Sequence, residues 1–145
     1  MLHVLRGDEI LKKILIINND PEMCCSLGLF MFIREHYDAV SVTNTEDVER
    51  LLPHLPVDLI LADVDTPRGN IIKTLLWVKE RFPEIPIVMT YLNLHDHEME
   101  ETIFNITDVC ILKPLDNEEV MRVIDQKLKK VSNVSRDKGS VLPKA

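Results

Sequence analysis

At 145 residues the chain has room for one domain with a sizeable core. Its hydrophobic fraction of 46% and charged fraction of 28% are those of an ordinary globular protein. A net charge of −7 argues against a nucleic-acid surface, because phosphate contacts need clustered Lys and Arg. No apolar run approaches the roughly 20 residues of a membrane span. Met1–Lys13 mixes Arg6, Asp8 and Glu9 into its apolar residues, unlike a signal peptide. Cys24, Cys25 and Cys110 form no Cys-x-x-Cys metal pair, and adjacent cysteines rarely bridge. A reducing, cytoplasmic compartment is expected.

Lys12 and Lys13 lead into Ile14–Ile17, a short apolar run, and then Asn18, Asn19, Asp20 and Pro21. This predicts a strand, a turn, and a helix that opens at Pro21, where a missing N–H costs little, and runs to about His36. Ala39–Val42 predicts a second strand, with Thr43, Asn44 and Thr45 capping a second helix. Val48, Leu51, Leu52 and Leu55 recur at helical spacing until Pro53 and Pro56 limit that helix. Leu59–Ala62 is an apolar run between Asp58 and Asp63, followed by the turn residues Thr66, Pro67, Arg68 and Gly69. It predicts a third strand, buried on both faces. Ile71, Ile72, Leu75, Leu76 and Val78 mark a third helix, ended by Phe82-Pro83. Ile87–Met89 predicts a fourth strand and Met99, Thr102, Ile103 and Ile106 a fourth helix. Val109–Leu112 predicts a fifth strand, and Asp116 and Glu119 a capped start to a fifth helix with Val120, Val123, Ile124 and Leu128 inward.

Alternating strands and helices of this kind give an α/β fold: a parallel sheet covered on both faces. The expected architecture is a flavodoxin-like three-layer sandwich with its five-stranded sheet in the order 2-1-3-4-5. The domain is expected over residues 12–131, with 1–11 as an N-terminal extension and 132–145 as a polar tail or linker. In the 2-1-3-4-5 order the ends of strands 1 and 3 lie side by side, so the turn Asn18-Asn19-Asp20 faces Asp63. Strand 4 delivers Thr90 and Tyr91 to the same edge, and strand 5 delivers Lys113-Pro114.

These pieces together resemble the response-regulator receiver (CheY-like) family over about Lys12 to Lys130. The matching stretches are Lys-Ile-Leu-Ile-Ile at 13–17, Asp-Leu-Ile-Leu-Ala-Asp at 58–63, Pro67, Ile-Pro-Ile-Val-Met-Thr at 85–90 and Leu-Lys-Pro at 112–114. The resemblance implies a two-component, or phosphorelay, signalling domain rather than an enzyme. It implies Asp63 as phosphoryl acceptor, with a histidine kinase or phosphotransfer protein as donor and partner. Lys113 would be the charge clamp, and a hydroxyl at the end of strand 4, from Thr90 or Tyr91, would close onto the phosphoryl group. The Lys113–Pro114 bond is typically cis in such proteins. A homodimer through helix 4, strand 5 and helix 5 is a further expectation of the family. The cofactor would be Mg²⁺, with Asn19, Asp20, Asp63 and Asp65 as a weak ligand set.

The chain departs from the family pattern where that metal would bind. Asn18 and Asn19 stand where two acidic residues are usual, and an amide oxygen ligates a hard cation without formal charge. Asp20 would compensate only if the first strand ended one residue later, which would turn its side chains to the opposite faces. Cys110 replaces the aromatic switch residue of strand 5. These changes support an alternative: a phosphorylation-independent pseudo-receiver that serves as an interaction module. A flavodoxin-like small-molecule binder is disfavoured, because the first turn lacks a Ser/Thr/Gly-rich phosphate loop. His95 and His97 flank Asp96 at a spacing that suits no metal motif, so they are read as solvated. Leu27–Ile33 is nearly all apolar, more than a surface helix needs, and is read chiefly as a broad core contact.

Overall fold

The computed structural model describes residues 11–65, 71–92 and 97–129. The turn at Thr66, Pro67, Arg68 and Gly69 lies outside the described residues, as do His95, Asp96, the side chain of His97, and both chain ends. Strands β1 (Lys13–Ile17), β2 (Asp38–Val42), β3 (Leu59–Asp63), β4 (Ile87–Tyr91) and β5 (Val109–Leu112) alternate with helices. The helices are α1 (Pro21–Glu35), α2 (Glu46–Leu51), α3 (Ile71–Arg81), α4 (His97–Ile106) and α5 (Asn117–Leu128), and a 3₁₀ turn over Leu52–His54 follows α2. All pairings are parallel and the strand order is 2-1-3-4-5, as the sequence pattern predicts.

Strand alternation sorts the apolar residues into two cores. Ile14, Ile16, Leu59, Leu61, Val88 and Ile111 face α1 and α5, where they meet Leu27, Met31, Val120 and Ile124. Leu15, Ile17, Ile60, Ala62, Ile87 and Met89 face the other way, against Val48, Leu75, Val78 and Ile103. Fully burying such a side chain contributes about 1.5–3 kcal/mol, and both faces of the sheet are filled this way. The doubly buried strands explain why β1 and β3 read as unbroken apolar runs.

The helix ends follow local chemistry. Asp20 caps α1, its Oδ1 accepting the N–H groups of Glu22 and Met23 at 3.1 and 3.2 Å. At the far end His36 takes the left-handed conformation (φ 59°), and its N–H closes on the Phe32 carbonyl at 2.8 Å. Of the predicted cap residues before α2, Asn44 makes the bond, from the N–H of Asp47 to Asn44 Oδ1 at 3.0 Å. Asp116 caps α5 through the N–H of Glu118. The apolar run on α1 is only partly core: Leu27 and Met31 are buried, but Leu29 and Ile33 are exposed by 58% and 65%.

Candidate functional site at the carboxyl edge of the sheet

The alternation that builds the core also aims the polar residues at the strand ends. Asn18 continues the Ile14–Ile16 face, Asp63 the Leu59–Leu61 face, Thr90 the Val88 face, and Lys113 the Val109–Ile111 face. All four therefore emerge on the α1/α5 side of one sheet edge, at the crossover point between β1 and β3. Asn18, Asp63 and Lys113 border a cleft of about 390 Å³ that is also lined by Asn19, Asp20, Met23, Ser26 and Leu115.

Asp63 is buried, and one oxygen carries most of its bonding. Its Oδ1 receives the Lys113 ammonium at 2.7 Å and the Thr90 hydroxyl at 3.0 Å. Lys113 also reaches Asp65 Oδ2 at 3.1 Å, and that same oxygen accepts the N–H of Leu92 at 3.0 Å. Partial burial alone would push the Lys113 pKa down; hydrogen bonds and charge from Asp63 and Asp65 outweigh it, and the net direction is up. Lys113 is therefore a fixed positive charge in the neutral range. The peptide bond after it, to Pro114, is cis.

The first turn is organised for structure. β1 ends at Ile17, so the strand has not slipped by a residue. Asn18 is buried, and its Oδ1 accepts the N–H of Asp20 at 2.9 Å, a side-chain turn of the kind Asn favours. Asn19 is exposed at the mouth of the cleft. Asp20 is held as the α1 cap.

Receiver domains typically bind Mg²⁺ in an acidic pocket. Here the residues do not fit a tightly held dication. Asp63 already faces an ammonium, Asp65 is tied to the same ammonium, and Asp20 is engaged by two N–H groups. Those bonds use one oxygen of each carboxylate, and the other two residues of the first turn, Asn18 and Asn19, are uncharged amides, whereas Mg²⁺ prefers carboxylates in near-octahedral array. Among the described residues no three His, Cys, Asp or Glu side chains gather around a common point.

Of the two hydroxyls expected at the end of β4, Thr90 bonds to Asp63. Tyr91 has the opposite parity, that of Met89, and belongs to the α3/α4 side. Strand parity was the signal that separates them, since Thr90 lies in register with Asp63. Cys110 is half-buried, packs against the α3/α4-side core and lies 3.3 Å from Thr107 Oγ1. The pairing of Asp65 with Lys113 is not among the sequence expectations; its position two residues past Asp63, on the same face, is the available clue.

The fold and this edge define a doubly wound α/β protein with a ligand-type cleft at its strand crossover. The family model described as the response regulator receiver domain matches residues 14–125, and the chain belongs to that family. It is a receiver domain of two-component signal transduction. The response regulator protein PilR of Pseudomonas aeruginosa is 28% identical over 78 residues, 54% of this chain and 17% of that protein. The chain thus spans less than a fifth of that relative. Among solved structures, a CheY-like receiver domain protein from Methanospirillum hungatei superposes with a TM-score of 0.77 at 19% identity, over 86% of this chain and 99% of that one. The receiver domain of an HD domain-containing protein from Pseudomonas fluorescens gives 0.74 at 16%, over 86% and 99%. DrrB of Thermotoga maritima, an OmpR/PhoB homologue, gives 0.72 at 18%, over 84% of this chain and 54% of that one. Receiver domains are signalling modules, and they interact with histidine kinases or phosphotransfer proteins. No described helix is long and apolar enough to cross a membrane.

Proposed function

We propose that Asp63 is the phosphoryl acceptor of this receiver and that the domain, residues 12–131, uses it to switch contacts with protein partners in the cytoplasm. The single observation that supports this most is the convergence of Lys113 and Thr90 on one oxygen of a buried Asp63. A carboxylate oxygen of Asp63 attacks phosphorus, an O–P bond forms, and the donor's bond to phosphorus breaks. With acetyl phosphate the leaving group is acetate; with a phosphohistidine protonated at its other nitrogen it is neutral imidazole. The electron pair leaves with that group, and no proton is required of the protein. What the protein supplies is position and charge: Lys113 offsets part of the charge of the arriving group, and Thr90 donates to an oxygen at the same place.

The test is incubation of the whole chain with acetyl phosphate, with and without millimolar Mg²⁺, followed by intact-mass measurement. A phosphoryl adduct is expected on the wild type and none on Asp63→Asn. Absence of the adduct under both conditions overturns the acceptor role. The interaction-module reading, favoured by the amides at Asn18 and Asn19, would then take its place.

A further inference from the structure

Asp65 has no assigned part in the chemistry above, yet its Oδ2 holds two unrelated groups. It accepts the Lys113 ammonium at 3.1 Å and the backbone N–H of Leu92 at 3.0 Å. We propose that Asp65 is a positioning residue that carries the charge state of the Asp63–Lys113 pair to the end of β4. The inference rests on the reading of Asp63 as acceptor for its use in signalling, but its physics does not need a phosphoryl group.

The ammonium of Lys113 sits between two carboxylates, 2.7 Å from Asp63 and 3.1 Å from Asp65. Without it, two like charges face each other in a partly dry site. The side chain of Asp63 is 5% exposed and that of Asp65 34%, so Asp65 is the one that escapes to water. When it leaves, the N–H of Leu92 loses its acceptor, and the residue that follows β4 is released. Leu92 is an apolar residue 63% exposed, so its release changes an apolar feature of the surface. A doubly charged group on Asp63 would draw the ammonium toward itself and weaken its hold on Asp65, with the same result. A charge change in the cleft thus becomes a backbone change at Leu92, by way of one carboxylate oxygen.

The test is amide hydrogen exchange at Leu92, read by NMR on the whole chain. Asp65→Ala should speed exchange about fivefold, the effect of one ordinary hydrogen bond. Lys113→Met should speed it similarly, by leaving Asp65 opposite Asp63 without a cation. The double variant Asp63→Asn/Lys113→Met should return toward the wild-type rate, because the neutral amide then at position 63 no longer repels Asp65. A residue that merely supported the fold would give no such rescue. Asp63→Asn alone gives Lys113 wholly to Asp65 and should slow exchange, which keeps the idea testable should Lys113→Met unfold. The N–H of Val64, which bonds to the Thr90 carbonyl at 2.9 Å, is the control and should not change. An unchanged Leu92 rate in Lys113→Met, a double variant as fast as Lys113→Met, or no slowing in Asp63→Asn overturns the proposal. No arm uses a phosphoryl donor, so failure here and failure of the acceptor reading remain distinct results.

Discussion

Lys113 Nζ lies 2.7 Å from Asp63 Oδ1, and this pair ties the end of β5 to the end of β3 across the intervening β4. The two residues are remote in sequence, so the bond forms only once three parallel strands have found their register. Thr90, from the middle strand, fills the space between them by donating to the same oxygen. The site is therefore a consequence of the sheet, and its stability can be read through it.

Replacing Lys113 by Met should cost about 3 kcal/mol, the lower end of the range for breaking a buried ion pair, since Lys113 keeps 23% exposure. The loss arises less from the missing attraction than from a buried Asp63 left without its cation. Neutralising that partner as well, in Asp63→Asn/Lys113→Met, should recover most of it. Denaturant midpoints of the two single variants and the double check this as a cycle.

The same pair sets a pH dependence. The folded Lys113 pKa is raised above its ordinary value of 10.5. A raised lysine contributes stability that is whole below the ordinary value and is lost as pH climbs through the folded value. The gap in melting temperature between wild type and Lys113→Met should therefore hold steady from neutral pH to about pH 10 and close above it. A gap that closes in the acid range would assign the effect to another group.

How much of this was legible beforehand depends on which interactions are local. The apolar runs of β1 and β3 and the order 2-1-3-4-5 follow from strand length and connection rules, and Asp63 and Lys113 fall at strand ends by counting. The choice between Thr90 and Tyr91 was open because both stand at the end of strand 4; parity along β4 turns Thr90 to the Asp63 side, where the two bond. The link from Asp65 to Leu92 was not legible, because it joins a side chain to a backbone N–H in another loop. The exposed Leu29 and Ile33 were hidden for a different reason: composition alone does not show how wide a face the sheet can cover.

Tyr37 donates to Asp125 Oδ1 at 2.6 Å, joining the segment between α1 and β2 to α5. Burial raises the Asp125 pKa and nearby Glu35 adds to it, while the Tyr37 hydrogen bond and Lys129 offset part of the rise. A carboxyl group raised on folding stabilises most when protonated, below its ordinary value of 3.8, and that contribution is lost as pH rises through the folded value. At neutral pH the charge is thus a burden. Asp125→Asn keeps an acceptor for Tyr37 and should melt higher than wild type at pH 7, with the difference fading toward pH 4. Melting curves at the two pH values decide it.

Asp20 separates a cap from a ligand. Its Oδ1 accepts two N–H groups at the start of α1, so Asp20→Ala should cost about 1 kcal/mol, whereas Asp20→Ser, which caps as well, should cost a few tenths. Equal losses in the two variants would show that the charge of Asp20, and not its capping bonds, is what the fold uses. Thermal unfolding without added metal is the measurement.

The amides of the first turn can be tested by restoring charge. In the wild type, millimolar Mg²⁺ should leave the melting temperature nearly unchanged, because the cleft's two carboxylates, Asp63 and Asp20, are already bonded to an ammonium and to two N–H groups, and its two amides are neutral. Changing Asn18 and Asn19 to Asp keeps the side-chain oxygen that Asn18 gives to the N–H of Asp20 and adds two charges beside Asp63. Without metal the double variant should be less stable than wild type, since like charges then crowd a buried carboxylate. With Mg²⁺ it should gain on the order of 2–3 kcal/mol once the ion exceeds its Kd a hundredfold. Calorimetry of both proteins across a Mg²⁺ series reads the two effects separately. A large Mg²⁺ shift in the wild type would show that amides and the helix cap suffice to hold the ion.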